Sequence, residues 1–203
     1  MILAAAGDIA GNLEALRTVL DDAEDRGIHL VLQTGNLFHG GANANGVAEL
    51  LRASGARCVQ GGNDRLLVPR RRARLADTDP DAARLLDEAH TTLRPAHIEW
   101  VCGLPWKQMV EMDGLRVMLC HGSPAGRNDI ITAETPTLKL RRLREMDPVD
   151  IVVCGGAPEP FARFVDGTLF VCPGPVAGGG AAGAAYALVS TEGGQPRAEW
   201  AGL

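Results

Sequence analysis

Long apolar runs are missing from this sequence. The longest are strand-sized, such as Ile151 to Cys154, far short of the roughly 20 residues that cross a bilayer, so no membrane association is expected. The N-terminal stretch Met1 to Asp8 lacks the basic segment that precedes the apolar core of a secretory leader and reads as a first strand, which makes the cytoplasm the expected compartment. Positive charge is not in excess either. The 20 Lys and Arg are outnumbered by 25 Asp and Glu, for a formal net charge of −5, and the charges are interspersed, so nucleic acid is not an expected partner. Aromatic residues are only 4% of the chain. Together with abundant Gly, Ala and Arg this is a compositional bias that carries no chemistry. Five cysteines (Cys58, Cys102, Cys120, Cys154, Cys172) form an odd set without C-x-x-C spacing, and inside apolar runs they are expected to be reduced core thiols.

What is present is an alternation of strands and helices over 203 residues, a length that suits one domain spanning 1–203. Ile2 to Ala6 is a short apolar run ended by Gly7. Asn12 is placed to cap a helix carrying Leu13, Leu16 and Leu20 at helical spacing and stopped at Asp25-Arg26-Gly27, and Leu30 to Thr34 is a second strand. The opening is therefore βαβ, with parallel strands and a right-handed crossover. A helix over Asn45 to Ser54, a strand over Arg57 to Gln60 and an amphipathic helix over Asp79 to His90 with Ala82, Leu85, Leu86 and Ala89 inward continue the pattern. The arginines from Arg70 to Arg74 read as a solvated face.

After Pro105 strands follow closely: Trp106 to Glu111 and Leu115 to Cys120 about a turn at Met112-Asp113-Gly114, then, after a helix over Thr137 to Met146, Asp150 to Cys154. Phe161 to Val165 and Thr168 to Val171 are joined by Asp166-Gly167, and Tyr186 to Ser190 and Arg197 to Trp200 close the chain. Asp-Gly between alternating runs is a hairpin signal. Two sheets are expected, one largely parallel and one built from hairpins. The run Gly178 to Gly183 lacks the Lys-Ser/Thr of a phosphate loop and reads as a turn.

In open α/β sheets ligands gather at the carboxyl ends of strands. The residues there are Asp8, Asn36, Gly62-Asn63-Asp64, His121, Gly155-Gly156 and Pro173-Gly174. Their order and spacing resemble the calcineurin-like metallophosphoesterases, in particular the small bacterial phosphodiesterase branch, whose motifs run D-x-H-G-N, G-D, G-N-H/C-D, H-G-S-P, G-H-T-H and N-P-G-S. Asp8 to Leu16 and Asn45 to Leu51 open and continue like the family. His121-Gly122-Ser123-Pro124 matches in full, and Cys154-Gly155, Pro160-Phe161 and Pro173-Gly174-Pro175 fall at the expected spacing. The resemblance implies a four-layer α-β-β-α sandwich of two mixed β-sheets.

It also implies two metal ions that activate a bridging water, and here the residues depart from the pattern. Ala10 stands where the family has His, Asn36 where it has the bridging aspartate, and Gly156 and Pro158 where it has two histidines. Alanine, glycine and proline side chains have no lone pair to give a cation. Aligned without a gap, Gly61-Gly62-Asn63-Asp64 removes the Asn ligand and puts Asn63 in place of the residue resembling the leaving-group acid; a one-residue slip restores Asn63 as a ligand. Asp8, Asn36 and His121 are thus the remaining metal positions, Asn63 and Asp64 the catalytic ones, and Asp8, Asn36, His39, Asn63 and His121 the candidate ligand-binding set.

Three readings follow. In the first the fold persists without its dinuclear site, no cofactor is bound, and the surface binds a small phosphorylated ligand or a protein. In the second a divergent phosphoesterase assembles a single divalent metal, such as Mn or Zn, from Asp8, Asn36, His121 and the nearby His39, and hydrolyses a phosphomonoester or phosphodiester. In the third the chain is a structural subunit, and association into a homo-oligomer stays open. A lone loop histidine such as His39 is more often solvated than a ligand. A zinc site from Cys154, Cys172 and His121 is a further arrangement. A Cys120–His121 nucleophile pair is disfavoured because adjacent strand residues face opposite ways.

Overall fold

The computed structural model describes residues 1–38, 43–67, 80–178, 183–192 and 194–203, with the side chains at 80–82, 85 and 86 left out. His39, the arginine stretch from Arg70 to Arg74, the side chains of Ala82, Leu85 and Leu86, and most of the Gly178 to Gly183 run lie outside the described residues.

The first sheet has the order β10-β9-β1-β2-β3, built from β1 (Ile2–Ala6), β2 (Leu30–Gln33), β3 (Arg57–Cys58), β9 (Ala185–Ser190) and β10 (Arg197–Gly202). Strands β1, β2 and β3 are parallel, as the βαβ opening requires, while β9 is antiparallel to both β1 and β10. The second sheet has the order β4-β5-β6-β8-β7, from β4 (Lys107–Met112), β5 (Leu115–Cys120), β6 (Ile151–Val153), β7 (Phe161–Val165) and β8 (Thr168–Cys172). The expectation that this sheet is built from hairpins needs correction. Its centre, β5-β6-β8, is parallel, and the β4-β5 and β7-β8 hairpins are its margins. Both hairpins turn at Asp-Gly with positive φ at each residue: Asp113 51° and Gly114 77°, Asp166 47° and Gly167 91°. Such a turn matches the twist of the flanking strands.

Strand alternation sorts the core into layers. Leu3 and Ala5 of β1, Val117 and Leu119 of β5, Ile151 and Val153 of β6, Leu169 and Val171 of β8 and Ala187 and Val189 of β9 share one apolar layer between the two sheets. Their strand neighbours face outward. Ala4, Ala6 and Tyr186 meet Val19 and Ala23 of α1 (Leu13–Asp25), and Met118, Cys120, Val152, Cys154, Phe170 and Cys172 meet Leu140 and Leu143 of the helix Thr137–Met146 on the far side. Asn12 caps α1, its side chain accepting from Ala15 N at 3.1 Å.

The remaining helices are α2 (Ala44–Ser54), α3 (Pro80–Thr92) and α4 (Pro95–Gly103), so that Thr137–Met146 is α5. Helix α4 falls where no element was expected. Its Pro95 suits a first helical position, but Ile98, Trp100 and Val101 blur the 3.6-residue period. A 3₁₀ turn, Asp64–Leu67, follows β3. No helix among the described residues is long and apolar enough to cross a membrane.

Candidate functional site

Loops leaving the parallel strands of both sheets converge at one end of the sandwich, and glycines allow the approach. A Cβ on Gly7 would lie 1.9 Å from Gly174 O, one on Gly35 2.5 Å from Gly61 N, and one on Gly155 2.3 Å from Thr34 Oγ1. Side chains at these positions would push the loops after β1 and β8, β2 and β3, and β2 and β6 apart.

Three of the expected residues form a chain of hydrogen bonds at this end. Asn36 donates from Nδ2 to Asp8 Oδ2 at 2.9 Å, and its Oδ1 accepts from Asn63 N at 3.0 Å. Beneath them Asp64, 1% exposed, accepts from the backbone N–H groups of Asn36 and Gly61 through Oδ2 and of Leu37 through Oδ1, each at 2.8 Å. Burial pushes the Asp64 carboxyl above its ordinary range against the pull of these donors and of nearby His121. Asn36 holds φ 58° and Ala10 φ 50°, the left-handed region that residues with a Cβ seldom adopt. Asp64 and the bonds from Ala10 N to Asn36 O and from Gly11 N to Leu37 O hold them there.

His121 enters from the end of β5. Its Nδ1–H donates to Thr34 O at 2.7 Å, which fixes the tautomer and leaves Nε2 as an acceptor. Burial lowers its pKa, opposed by the Thr34 carbonyl and the Asp64 charge and assisted by Arg127, so the ring is neutral. Nε2 looks toward two glycines. A Cβ on Gly62 would sit 3.9 Å from Nε2 and 3.5 Å from Asn128 Oδ1, in ordinary contact, whereas a Cβ on Gly156 would sit 3.3 Å from Nε2 and 2.6 Å from Ile130 Cδ1. Gly156 also has φ 78°. The space beside His121 on that side is filled by an isoleucine methyl group.

Asp8, Asn36, Asn63, Asp64 and His121 are therefore brought together, and His39 lies outside the described residues. Cys154 and Cys172 are buried with Cys120 in the layer under α5. A thiol–thiol hydrogen bond with Cys172, and burial, raise the Cys154 pKa. Among the described residues no group of three or more His, Cys, Asp and Glu side chains is placed to hold a metal ion. Four participants were not singled out from the sequence: Thr34, which acts through its backbone carbonyl, Ile130, Asn128 and Arg127. A carbonyl contact leaves no residue-type signal, but the last three closely follow the His-Gly-Ser-Pro motif.

Residues 1–194 match the model of the calcineurin-like phosphoesterase superfamily domain. A hypothetical protein, PH1004, of Pyrococcus horikoshii OT3 has a similar structure, with a TM-score of 0.84 at 19% identity over 99% of this chain and 88% of that one. A metallophosphoesterase from Sphaerobacter thermophilus aligns with a TM-score of 0.76 at 20% identity over 98% and 87% of the two chains. In sequence, the uncharacterized protein MJ0912 of Methanocaldococcus jannaschii is 40% identical over 63 residues, which are 31% of this chain and 26% of that protein's length.

Proposed function

Because the chain belongs to the calcineurin-like phosphoesterase superfamily, we propose that it uses the family's strand-end site to bind a phosphorylated small molecule or a protein partner without hydrolysing a phosphoester. The observation that carries this reading is the Ile130 methyl group, which lies 2.6 Å from where a Gly156 Cβ would be. A histidine at that position would have to displace this methyl group and take the left-handed backbone of Gly156, φ 78°, that residues with a Cβ seldom adopt. The other donors point the same way. Ala10 and Pro158 offer no side-chain electron pair, and Asn36 turns its amide N–H, not an oxygen, toward Asp8. Two bridged cations want a shared carboxylate and several imidazoles, and this donor set does not fit them. The left-handed backbone at Ala10 and Asn36 supports a binding role, since strain persists where the surrounding structure holds it for a purpose.

A second reading is favoured by the tautomer of His121. Its Nδ1–H bond to Thr34 O leaves the Nε2 lone pair available, and Asp8, Asn36 and His121 would hold a single divalent ion that polarises a phosphoester, after rotation of the Asn36 amide. Hydrolysis of bis(4-nitrophenyl) phosphate with added Mn²⁺ separates the two. The binding reading expects no metal-dependent rate. A rate that disappears in His121→Ala would establish the second.

A further inference from the structure

Beside the strand-end site a cleft of about 470 Å³ is lined by Gln60, Arg65, Leu104, Pro105, Trp106 and Arg127 among others. It adjoins that site through both walls, Gln60 leading to Gly62 and Arg127 to Asn128. The two arginines are unusual in their company. Arg127 is half-buried and donates from Nε to Gln60 O at 3.2 Å, which fixes the plane of its guanidinium and leaves the terminal nitrogens without a hydrogen-bond partner among the described residues. Arg65 is exposed at the cleft, and neither arginine has a carboxylate within ion-pair distance among the described residues. Burial and the neighbouring Arg65 lower the Arg127 pKa, and the opposing charge is that of Asp64. Both Asp64 oxygens, however, are already occupied by backbone N–H groups. Two like charges thus share a partly desolvated cleft with no carboxylate in ion-pair contact among the described residues, an arrangement that an incoming anion would relieve.

We propose that Arg65 and Arg127 form a clamp for the phosphate group of a small ligand, independent of metal ions, with the ligand's apolar body lying on Leu104, Pro105 and Trp106. A planar guanidinium offers paired N–H donors that match phosphate oxygens. Gln60 is a rigid wall for such a site: its side chain donates from Nε2 to Val101 O at 2.9 Å and its backbone N–H to Pro105 O at 2.7 Å. Lys107, 5.2 Å from the Trp106 ring centroid, is already paired with Asp147 at 2.8 Å and is not part of the clamp. The clamp deepens the binding reading above and rests on it, since it supplies without metal the positive charge that a phosphate group needs.

Calorimetric titration of the EDTA-treated full chain with inorganic phosphate, 4-nitrophenyl phosphate and 4-nitrophenol tests it. Both phosphates are expected to bind at one site, the aryl ester more tightly, and 4-nitrophenol not at all. Arg65→Gln and Arg127→Gln should each weaken 4-nitrophenyl phosphate at least tenfold, Arg127→Lys by less, and the distant Arg197→Gln by less than twofold, with melting temperatures verifying that each variant is folded. Retention of full affinity in folded Arg65→Gln and Arg127→Gln overturns the clamp. If His121→Ala abolishes that same affinity, the binding reading survives without the clamp. If the unaltered chain binds neither phosphate, the clamp is also overturned, and the Mn²⁺ hydrolysis assay then decides the binding reading separately.

Discussion

The candidate site has two unlike halves. The half built by the loops after β1, β2 and β3 is polar and hydrogen-bonded: Asp64 is held by three backbone donors, Asn36 spans Asp8 and Asn63, and Gly61 has no room for a Cβ. The half built by the loops after β5 and β6 places one neutral imidazole against glycine and an isoleucine methyl group. The first half is held by interactions that need no ion, because Asp64 works as a fastener for the β2 loop. Against the family pattern both halves differ, the first at Ala10 and Asn36 and the second at Gly156 and Pro158. The contrast teaches that one side of a strand-end site can be fastened by backbone hydrogen bonds while the other side is held by apolar packing.

The largest effect should come from the polar half. Asp64→Ala strands three buried N–H groups, each costing about 1–3 kcal/mol, so stability should fall by at least about 3 kcal/mol and the melting temperature by roughly 6–12 °C. Differential scanning calorimetry would measure it, and a near-neutral result would break the comparison. Next in size is a pair of adjacent glycines. A Cβ on Gly61 would lie 2.2 Å from Asn36 N, whereas one on Gly62 meets nothing nearer than 3.5 Å. Gly61→Ala should cost about 2 kcal/mol or more and Gly62→Ala within about 0.5 kcal/mol, read from urea midpoints.

How much of this could be read from the chain alone differs between the halves as well. The βαβ opening, the cap at Asn12 and both Asp-Gly hairpins were legible because strand alternation, caps and type-specific turns leave local marks, whereas the layered sandwich came from the resemblance to the family. Helix α4 was not, since Ile98, Trp100 and Val101 hide its period, and the parallel centre of the second sheet was not, because register between β5, β6 and β8 is set by packing over long separations. Residues such as Asp8, Asn36, Asp64 and His121 could be placed at strand ends from motif spacing. The Asp64 fastening and the Thr34 carbonyl on His121 are backbone contacts without a residue-type signal, and Ile130 beside Gly156 is a tertiary neighbour.

A smaller effect is expected from Asn36→Asp, which replaces an N–H···O bond to Asp8 with two opposed carboxylates. Without metal this should cost about 1–2 kcal/mol. Added Mn²⁺ should then raise the melting temperature of this variant but not of the unaltered chain, as linkage requires of an ion that binds only the folded state. Equal responses in thermal scans would remove the distinction between the halves. The smallest effect concerns pH. The folded pKa of His121 lies below 6.5, so as pH falls through that value the unfolded chain takes up its proton first and stability declines. The decline should be shallower in His121→Gln, and the His121 ring signals should titrate below pH 6.5 by NMR.

The most direct test is the metal content of the unaltered protein after incubation with excess Mn²⁺ and passage through a desalting column, measured by inductively coupled plasma mass spectrometry. The account predicts well under one ion per chain, because Ala10, the Asn36 amide, Gly156 and Pro158 leave Asp8 and His121 without a complete set of donors. One or two ions per chain, lost on His121→Ala, would contradict it.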